Sequence, residues 1–334
     1  MMKYVLRGGA IIALLIFLFS TAQAAPVRVV FIPKATMPFF WQVMERSARH
    51  TAERLNVDLV WRGPRNEINL LAQRKLLTLY TRTPGTDAIV LAPSSLDDLN
   101  PEIAEAAEAG IKIVVVDSPS SSRHVSAFIA TDNYHAGYKT GEYMAAKVGP
   151  DSTVMIMGYV KGNVSTDRRE KGFRDAMKAR APGVTLVSSH CEKGLYRVCA
   201  QAALAGLRKY KDLAGVFAVN EISSVGLVEA LGYHEGTRPG TVVIFDYNQR
   251  LEDALKDGSV DILVAQSPET MGRLGVQTAL DLVEGRCVEA VKRCPVLFLD
   301  RESATEDVLK TLRLEGFSGV EASPHIMGIN TPTP

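Results

Sequence analysis

A catalytic constellation is what this chain of 334 residues most plainly lacks. It contains no G-x-S-x-G elbow, no H-E-x-x-H and no Walker pattern. Its six histidines, at 50, 124, 135, 190, 234 and 325, fall at no metal-ligand spacing. Gly8-Gly9 and the pair Gly137 and Gly141 do not make a dinucleotide fingerprint. The reading is therefore of a non-enzyme that needs no cofactor and no metal. Charge of one sign is also missing. There are 38 Lys+Arg against 37 Asp+Glu, so no basic footprint for nucleic acid exists. Cysteine is scarce: four residues, all after position 190, in no metal or thioredoxin spacing. Long apolar runs are absent but for one, over 10–19, and that is too short for the ~20 residues a bilayer-spanning helix needs.

That run has a context. Lys3 and Arg7 precede it, and Ala22-Gln23-Ala24 follows with the small-x-small pattern of a cleavage site. Residues 1–24 thus read as an export signal, with an exported, soluble chain from Ala25. Without Lys3 and Arg7 the balance is 36 basic against 37 acidic side chains. Export makes disulfides possible. Cys191 with Cys199, and Cys287 with Cys294, each flank a short connection. Four cysteines allow three connectivities, and free thiols stay open.

From residue 27 onward, strand-like and helix-like runs alternate. Apolar runs at 27–32, 88–92 and 113–116 are continuous, which means cover on both faces. Helical periodicity over 40–55 places Phe40, Val43, Met44, Ser47, Ala48, Thr51, Ala52 and Leu55 on one face. Asn66 is positioned to cap the next helix, and a later helix is expected over 168–179. A second set of alternating runs follows 127–129 and closes with a strand at 296–299, a weak helix near 306–312 and a disordered end at 331–334. Strands alternating with helices predict an α/β fold with doubly wound parallel sheets. A length of some three hundred residues predicts two domains.

One stretch organises the rest: Phe31-Ile32-Pro33-Lys34-Ala35-Thr36-Met37-Pro38-Phe39-Phe40-Trp41. A strand ends, a lone cation follows, and Pro38 opens a helix with three aromatics in its first turn. Open α/β sheets bind ligands beyond the carboxyl ends of their strands. The other strand ends offer Asp117, Asn220, Asp246 and Gln266, with Asp167 and Arg168 at a helix start. Carboxylates and amides pair with the hydroxyls of a polyol, the carboxylates through charge-assisted hydrogen bonds. Phe39, Phe40 and Trp41 offer flat faces for its C–H side, although Phe40 also lies on the buried stripe.

These residues resemble the type I periplasmic binding proteins of the ribose/galactose class, the solute receptors of ABC importers. Pro38-Phe39-Phe40 is similar to that family's first binding loop, and Val114-Val115-Val116-Asp117 to its fourth-strand aspartate. Ile129-Ala130-Thr131-Asp132-Asn133 is similar to its first interdomain crossover. Arg169-x-x-Gly172-Phe173 resembles its second-domain helix. Phe217-Ala218-Val219-Asn220-Glu221, Ile244-Phe245-Asp246 and Val264-Ala265-Gln266-Ser267-Pro268 follow in the family's order. The resemblance covers about 27–300. It implies two Rossmann-like domains joined by three crossovers, one over 25–131 plus 267–294 and the other over 132–266 plus 295–302, with a tail over 303–334.

The same resemblance implies a ligand cleft lined by Lys34, Phe39, Phe40, Trp41, Asp117, Asp167, Arg168, Asn220, Asp246 and Gln266, and a monomer that closes on its ligand by hinge motion. Departures narrow the ligand. Met37 replaces an Asn, Ser118 replaces an Arg, and Asp167 stands about where a second Arg belongs, so two clamping arginines are expected to be lost. Ile32-Pro33-Lys34, Asp117 and Thr166-Asp167 look like the autoinducer-2-binding branch. The implied ligand is a monosaccharide, a sugar derivative or an autoinducer-2-like furanose, a sugar acid not being excluded. The implied partner is an importer's membrane permease or, alternatively, a sensor such as a histidine kinase or chemoreceptor.

Overall fold

The computed structural model describes residues 25–314. The predicted export signal over 1–24 and the predicted loose end over 331–334 lie outside the described residues. The first sheet is made of β1 (Arg28–Ile32), β2 (Asp58–Trp61), β3 (Ala88–Leu91), β4 (Lys112–Val116), β5 (Ala127–Thr131) and β11 (Val291–Cys294). Its order is β11-β5-β4-β3-β1-β2, and every pairing is parallel. The second sheet is made of β6 (Thr153–Gly158), β7 (Thr185–His190), β8 (Gly215–Ala218), β9 (Thr241–Phe245), β10 (Ile262–Gln266) and β12 (Val296–Leu299). Its order is β12-β10-β9-β8-β6-β7, with β12 antiparallel to β10 and the other pairings parallel.

Helices cover both sheets. The first sheet carries α1 (Phe39–Arg54), α2 (Leu70–Thr81), α3 (Asn100–Glu108) and α9 (Pro268–Val283). The second carries α4 (Asn133–Ala145), α5 (Val164–Arg180), α6 (Tyr196–Lys209), α7 (Glu221–Gly232), α8 (Gln249–Asp257) and α10 (Glu306–Arg313). β1 shows why its run is unbroken. Val29 and Phe31 pack with Met44, Ala48 and Met271, while Val30 and Ile32 pack on the opposite face with Leu77 and Ile103. Successive side chains of a strand point to opposite faces, so two apolar layers demand apolar residues at every position.

The chain passes between the sheets three times: between β5 and α4, between β10 and α9, and at Pro295 between β11 and β12. The passages are tied together. Ser267 Oγ donates to the Pro295 carbonyl at 3.0 Å, and Arg293 lies 3.7 Å from the Asp132 carboxylate.

Two local expectations change, and one strand, β11, was not anticipated. Asn69, not Asn66, caps α2, its Oδ1 accepting from the Ala72 N–H at 3.0 Å. α5 begins at Val164, a full turn before the expected start. β11 has no apolar pattern because its residues Val291, Lys292 and Arg293 sit at a solvated sheet edge. Of the two local cysteine pairs, Cys191–Cys199 is a disulfide with Cα atoms 4.7 Å apart. Cys287–Cys294 is not formed. Cys294 is buried at the end of β11, beside Thr131 of β5, while Cys287 stays exposed in the preceding loop. Burial pushes the Cys294 thiol up to about 12.

α4 and α5 approach at two glycines. A Cβ at Gly137 would sit 2.0 Å from the Arg169 carbonyl oxygen, and one at Gly172 would sit 2.1 Å from that of Tyr134. Backbone cannot yield as a side chain tip can. Gly137→Val is expected to force α5 outward, carrying Arg169 with it, and to destabilise the fold by about 1–3 kcal/mol as other overpacked sites do. A denaturant midpoint unchanged from the parent protein would show that the helices separate without strain.

Candidate functional site

The carboxyl ends of both sheets face each other across one cleft. Its wall includes Lys34, Pro38, Phe40, Trp41, Glu67 and Asp117 from the first lobe. From the second come Ser165, Thr166, Arg169, Asn220, Glu221, Ile222 and Asp246, with Gln266 at the β10 crossover. The lobes are drawn together: the cavity left among these side chains is about 20 Å³, room for a single water. A monosaccharide therefore enters only if the lobes part.

Lys34 lies two residues beyond β1, after Pro33, and is 1% exposed. Its ammonium donates to Asp117 Oδ2 at 2.6 Å and to Ser118 Oγ at 2.5 Å, within its own lobe. It also reaches Asn163 Oδ1 and Ser165 Oγ, each at 3.3 Å, in the other lobe. A buried ammonium needs such partners, since burying an unpaired charge costs several kcal/mol.

Asp117 and Asp246 occupy equivalent places, each the residue after a central strand, β4 or β9. Both have left-handed backbones, with φ of 62° and 69°. Asp is among the few residues other than Gly that take this conformation readily. It turns the chain sharply at the strand end. Asp246 Oδ1 accepts from Gln266 Nε2 at 2.7 Å, and Oδ2 from the Glu221 N–H at 2.8 Å. Arg169 lies 3.8 Å from the same carboxylate. Burial raises Asp246 above the ordinary Asp range, and the Arg169 charge and these donors pull it back. Arg169 is itself held by Asn133 Oδ1 at 2.8 Å and the Val219 carbonyl at 2.9 Å, over the face of Phe245 at 4.0 Å. Gln266 Oε1 is buried and has no hydrogen-bond partner, so it presents an acceptor to whatever occupies the cleft.

Glu221 explains the organising stretch. Pro38, at the start of α1, has no side chain able to cap the helix. The first N–H groups of a helix lack intrahelical partners. Here the Glu221 carboxylate, from the opposite lobe, accepts from the Phe39 N–H at 3.1 Å and the Phe40 N–H at 3.0 Å. Tyr196 and Asn248 hold the same carboxylate from its own side. Burial nevertheless pushes Glu221 up to about 7, with the bonds from Phe40, Asn248 and Phe39 opposing.

The folded state thus binds this proton more tightly than the unfolded chain, whose value is 4.5. The stability Glu221 contributes is full below about 4.5, falls as pH rises towards about 7, and is gone above that. At about 1.36 kcal/mol per pH unit the swing is about 3 kcal/mol. Ligand-free protein is expected to unfold at lower denaturant at pH 8 than at pH 5, and Glu221→Gln to flatten that slope. Equal slopes in parent and variant would remove Glu221 as its source.

Of the residues expected at the site, Lys34, Phe40, Trp41, Asp117, Asn220, Asp246 and Gln266 meet in the cleft wall. Phe40 and Trp41 are buried edge to face, ring centres 4.9 Å apart. Asn220 also caps α7, accepting from the Ser223 N–H at 3.1 Å. Phe39, Asp167 and Arg168 do not line the cleft. The Phe39 ring turns outward to Tyr247, 5.9 Å between centres, because α1 rotates it away from Phe40. Asp167 accepts from the Gly162 N–H at 2.9 Å in the first turn of α5, and Arg168 is exposed. With α5 beginning at Val164, its inward face carries Ser165, Thr166 and Arg169. Ser118 and Asp167 keep their places without an arginine, while Arg169 stands in the cleft beside Asp246 and Lys34 places a cation against Ser118.

Glu67 and Glu221 were not anticipated. Glu221 had a signal, an acid in the first turn of a helix capped at a strand end. Glu67 had none, since it comes from the loop between β2 and α2. Its carboxylate accepts from Trp41 Nε1 at 2.8 Å and from Asn163 Nδ2, across the cleft, at 3.2 Å. Burial raises it above the ordinary Glu range, against the pull of Lys34 and the Trp41 bond.

Two α/β lobes, three crossovers and a polar cleft at facing strand ends define a two-lobed solute receptor. The chain belongs to the periplasmic binding protein domain family, which it matches over residues 29–287. It is 28% identical to the D-ribose/D-allose-binding protein of Pseudomonas aeruginosa over 79% of this chain and 85% of that one. It is 29% identical to the ribose import binding protein RbsB of Escherichia coli, over 76% and 83% of the two chains. A carbohydrate transporter solute-binding protein from Agrobacterium radiobacter, in complex with D-arabinose, superposes with a TM-score of 0.81 at 26% identity, covering 86% of this chain and 99% of that one. An ABC transporter solute-binding protein from Agrobacterium vitis, with bound D-fucose, gives 0.81 at 28% identity, covering 85% and 98%. These relatives are binding proteins, not enzymes, as the lack of a catalytic constellation led one to expect.

Proposed function

We propose that this protein is an exported periplasmic receptor, cleaved near Ala24, that captures a small hydroxyl-rich ligand of the sugar class and delivers it to the membrane permease of an ABC importer. Its lobes are 25–131 with 267–294 and 132–266 with 295–302, and it works as a monomer. The observation that carries the reading is Glu221 capping α1 from the opposite lobe. Helix α1 gains its N-terminal partners only when the cleft is shut, so closure is built into the site. A ligand bonded to Lys34 and Asp117 on one side and to Arg169, Asp246 and Gln266 on the other favours the shut form by its differential affinity. The unpartnered Gln266 Oε1 and the rings of Phe40 and Trp41 suit a hydroxyl and a sugar face. The ligands named for the relatives support the same class.

Thermal-shift titration with D-ribose, D-allose, D-arabinose and D-fucose tests the reading, because a ligand of the native state raises the melting temperature by mass action. A rise with at least one monosaccharide, joined by contraction of the particle in solution scattering, is expected. Failure of every monosaccharide, with a rise for an amino acid, would replace the ligand class.

A further inference from the structure

The ionisable groups of the cleft wall are out of balance. Lys34 and Arg169 are its cations, against the carboxylates of Glu67, Asp117, Glu221 and Asp246. Fully ionised, the wall would carry two more negative charges than positive. Lys34 is taken by Asp117 at 2.6 Å, and Arg169 stands by Asp246 at 3.8 Å. Glu67 and Glu221 are left with neutral donors: Trp41 and Asn163 for the one, backbone N–H groups, Tyr196 and Asn248 for the other. A second observation points the same way. Gln266, 4% exposed, lines the cleft, and its Oε1 has no donor. The wall is thus rich in acceptors and in uncompensated negative charge. Buried carboxylates without a cation either take up a proton or draw a cation to themselves. Both Glu67 and Glu221 are raised above the ordinary range, chiefly by burial. An ammonium supplies what such a wall lacks, charge and three N–H donors together. A sugar acid would add a further carboxylate to a wall already rich in them.

Resting on the sugar-receptor reading above, we propose that the cleft selects a monosaccharide bearing a basic amino group, with Glu67 as counter-ion of that nitrogen, and rejects sugar acids. Glu67 is placed for this role. Its carboxylate sits between the Trp41 ring of one lobe and Asn163 of the other, so a cation bound there bridges the lobes as they close. Glu221 is already committed to the N–H groups of α1 and to Tyr196 and Asn248. Asp117 and Asp246 are already matched by Lys34 and Arg169.

Calorimetric titration at pH 7 with three matched sets separates the possibilities: D-galactose, D-galactosamine and D-galacturonate; D-glucose, D-glucosamine and D-glucuronate; D-ribose, 5-amino-5-deoxy-D-ribose and D-ribonate. In at least one set the amino sugar is expected to bind tenfold or more tightly than its neutral parent, with no measurable binding of the acid. In Glu67→Gln, checked for a cooperative thermal transition, the ratio of amino to neutral affinity is expected to fall towards one. Neutral sugars binding as tightly as their amino partners, any acid binding, or an unchanged ratio in Glu67→Gln would each overturn the inference and leave the sugar receptor standing. Failure of every compound by folded protein would overturn both.

Discussion

Asp246→Ala is expected to abolish ligand binding and to lower the stability of the ligand-free fold. The carboxylate touches the Gln266 amide, the Glu221 N–H and the neighbourhood of Arg169. All three belong to the cleft wall, so no ligand pose spanning the second lobe survives its removal unaltered. The fold suffers as well, because Arg169 is buried and Asp246 is the carboxylate beside it. Removing one partner of a buried ion pair costs about 3–5 kcal/mol. Alanine in a left-handed backbone adds strain of about 1 kcal/mol. Asp246→Asn separates the two effects. It keeps the shape and the tolerance of positive φ but not the charge, and should fall between parent and alanine variant. Calorimetric affinity and urea midpoints measure both. An affinity equal to the parent's takes Asp246 out of the site.

Lys34→Met should do comparable damage by a different route. Methionine fills the space of the lysine stem but carries no charge. Asp117 would stay buried without a cation, and Asn163 and Ser165 would lose a donor that crosses the cleft. Affinity is expected to drop by about 100-fold, about 2.8 kcal/mol at 1.4 kcal/mol per decade. Stability should fall with it, because the Lys34–Asp117 pair is nearly free of solvent. If the variant bound and unfolded within twofold of the parent, the ammonium would be a bystander.

How these residues were found differs from one to the next. Lys34, Asp117, Asp246 and Gln266 were legible because each lies at the end of an unmistakable apolar strand or within two residues beyond it, and strand ends in such sheets converge on one side. Arg169 was readable in principle. It lies four residues before Phe173, hence on the same helix face, but a helix start placed a turn late directed attention to Asp167 and Arg168. Each step along a helix turns a side chain by about 100°, so a small error in register exchanges inside for outside. Phe39 went the same way, one position from Phe40 and facing outward. The Cys287–Cys294 pairing failed because proximity in sequence says nothing about which cysteine a sheet edge buries. Glu67 had no local signature at all, since its role arises from Trp41 and Asn163, residues on either side of the cleft.

The sequence by itself determined the two wound sheets, their order of elements and the strand ends that bear the ligand groups. Those features rest on short-range periodicity, and each can be read within a dozen residues. Only the tertiary structure decided what the stretch from Phe31 to Trp41 is for. Its helix has no cap of its own, and the carboxylate that completes it is 181 residues away from Phe40, in the other lobe. Its cation reaches Asn163 and Ser165 at similar remove. Such pairings are set by how the crossovers bring two rigid lobes together, and no local pattern encodes that angle.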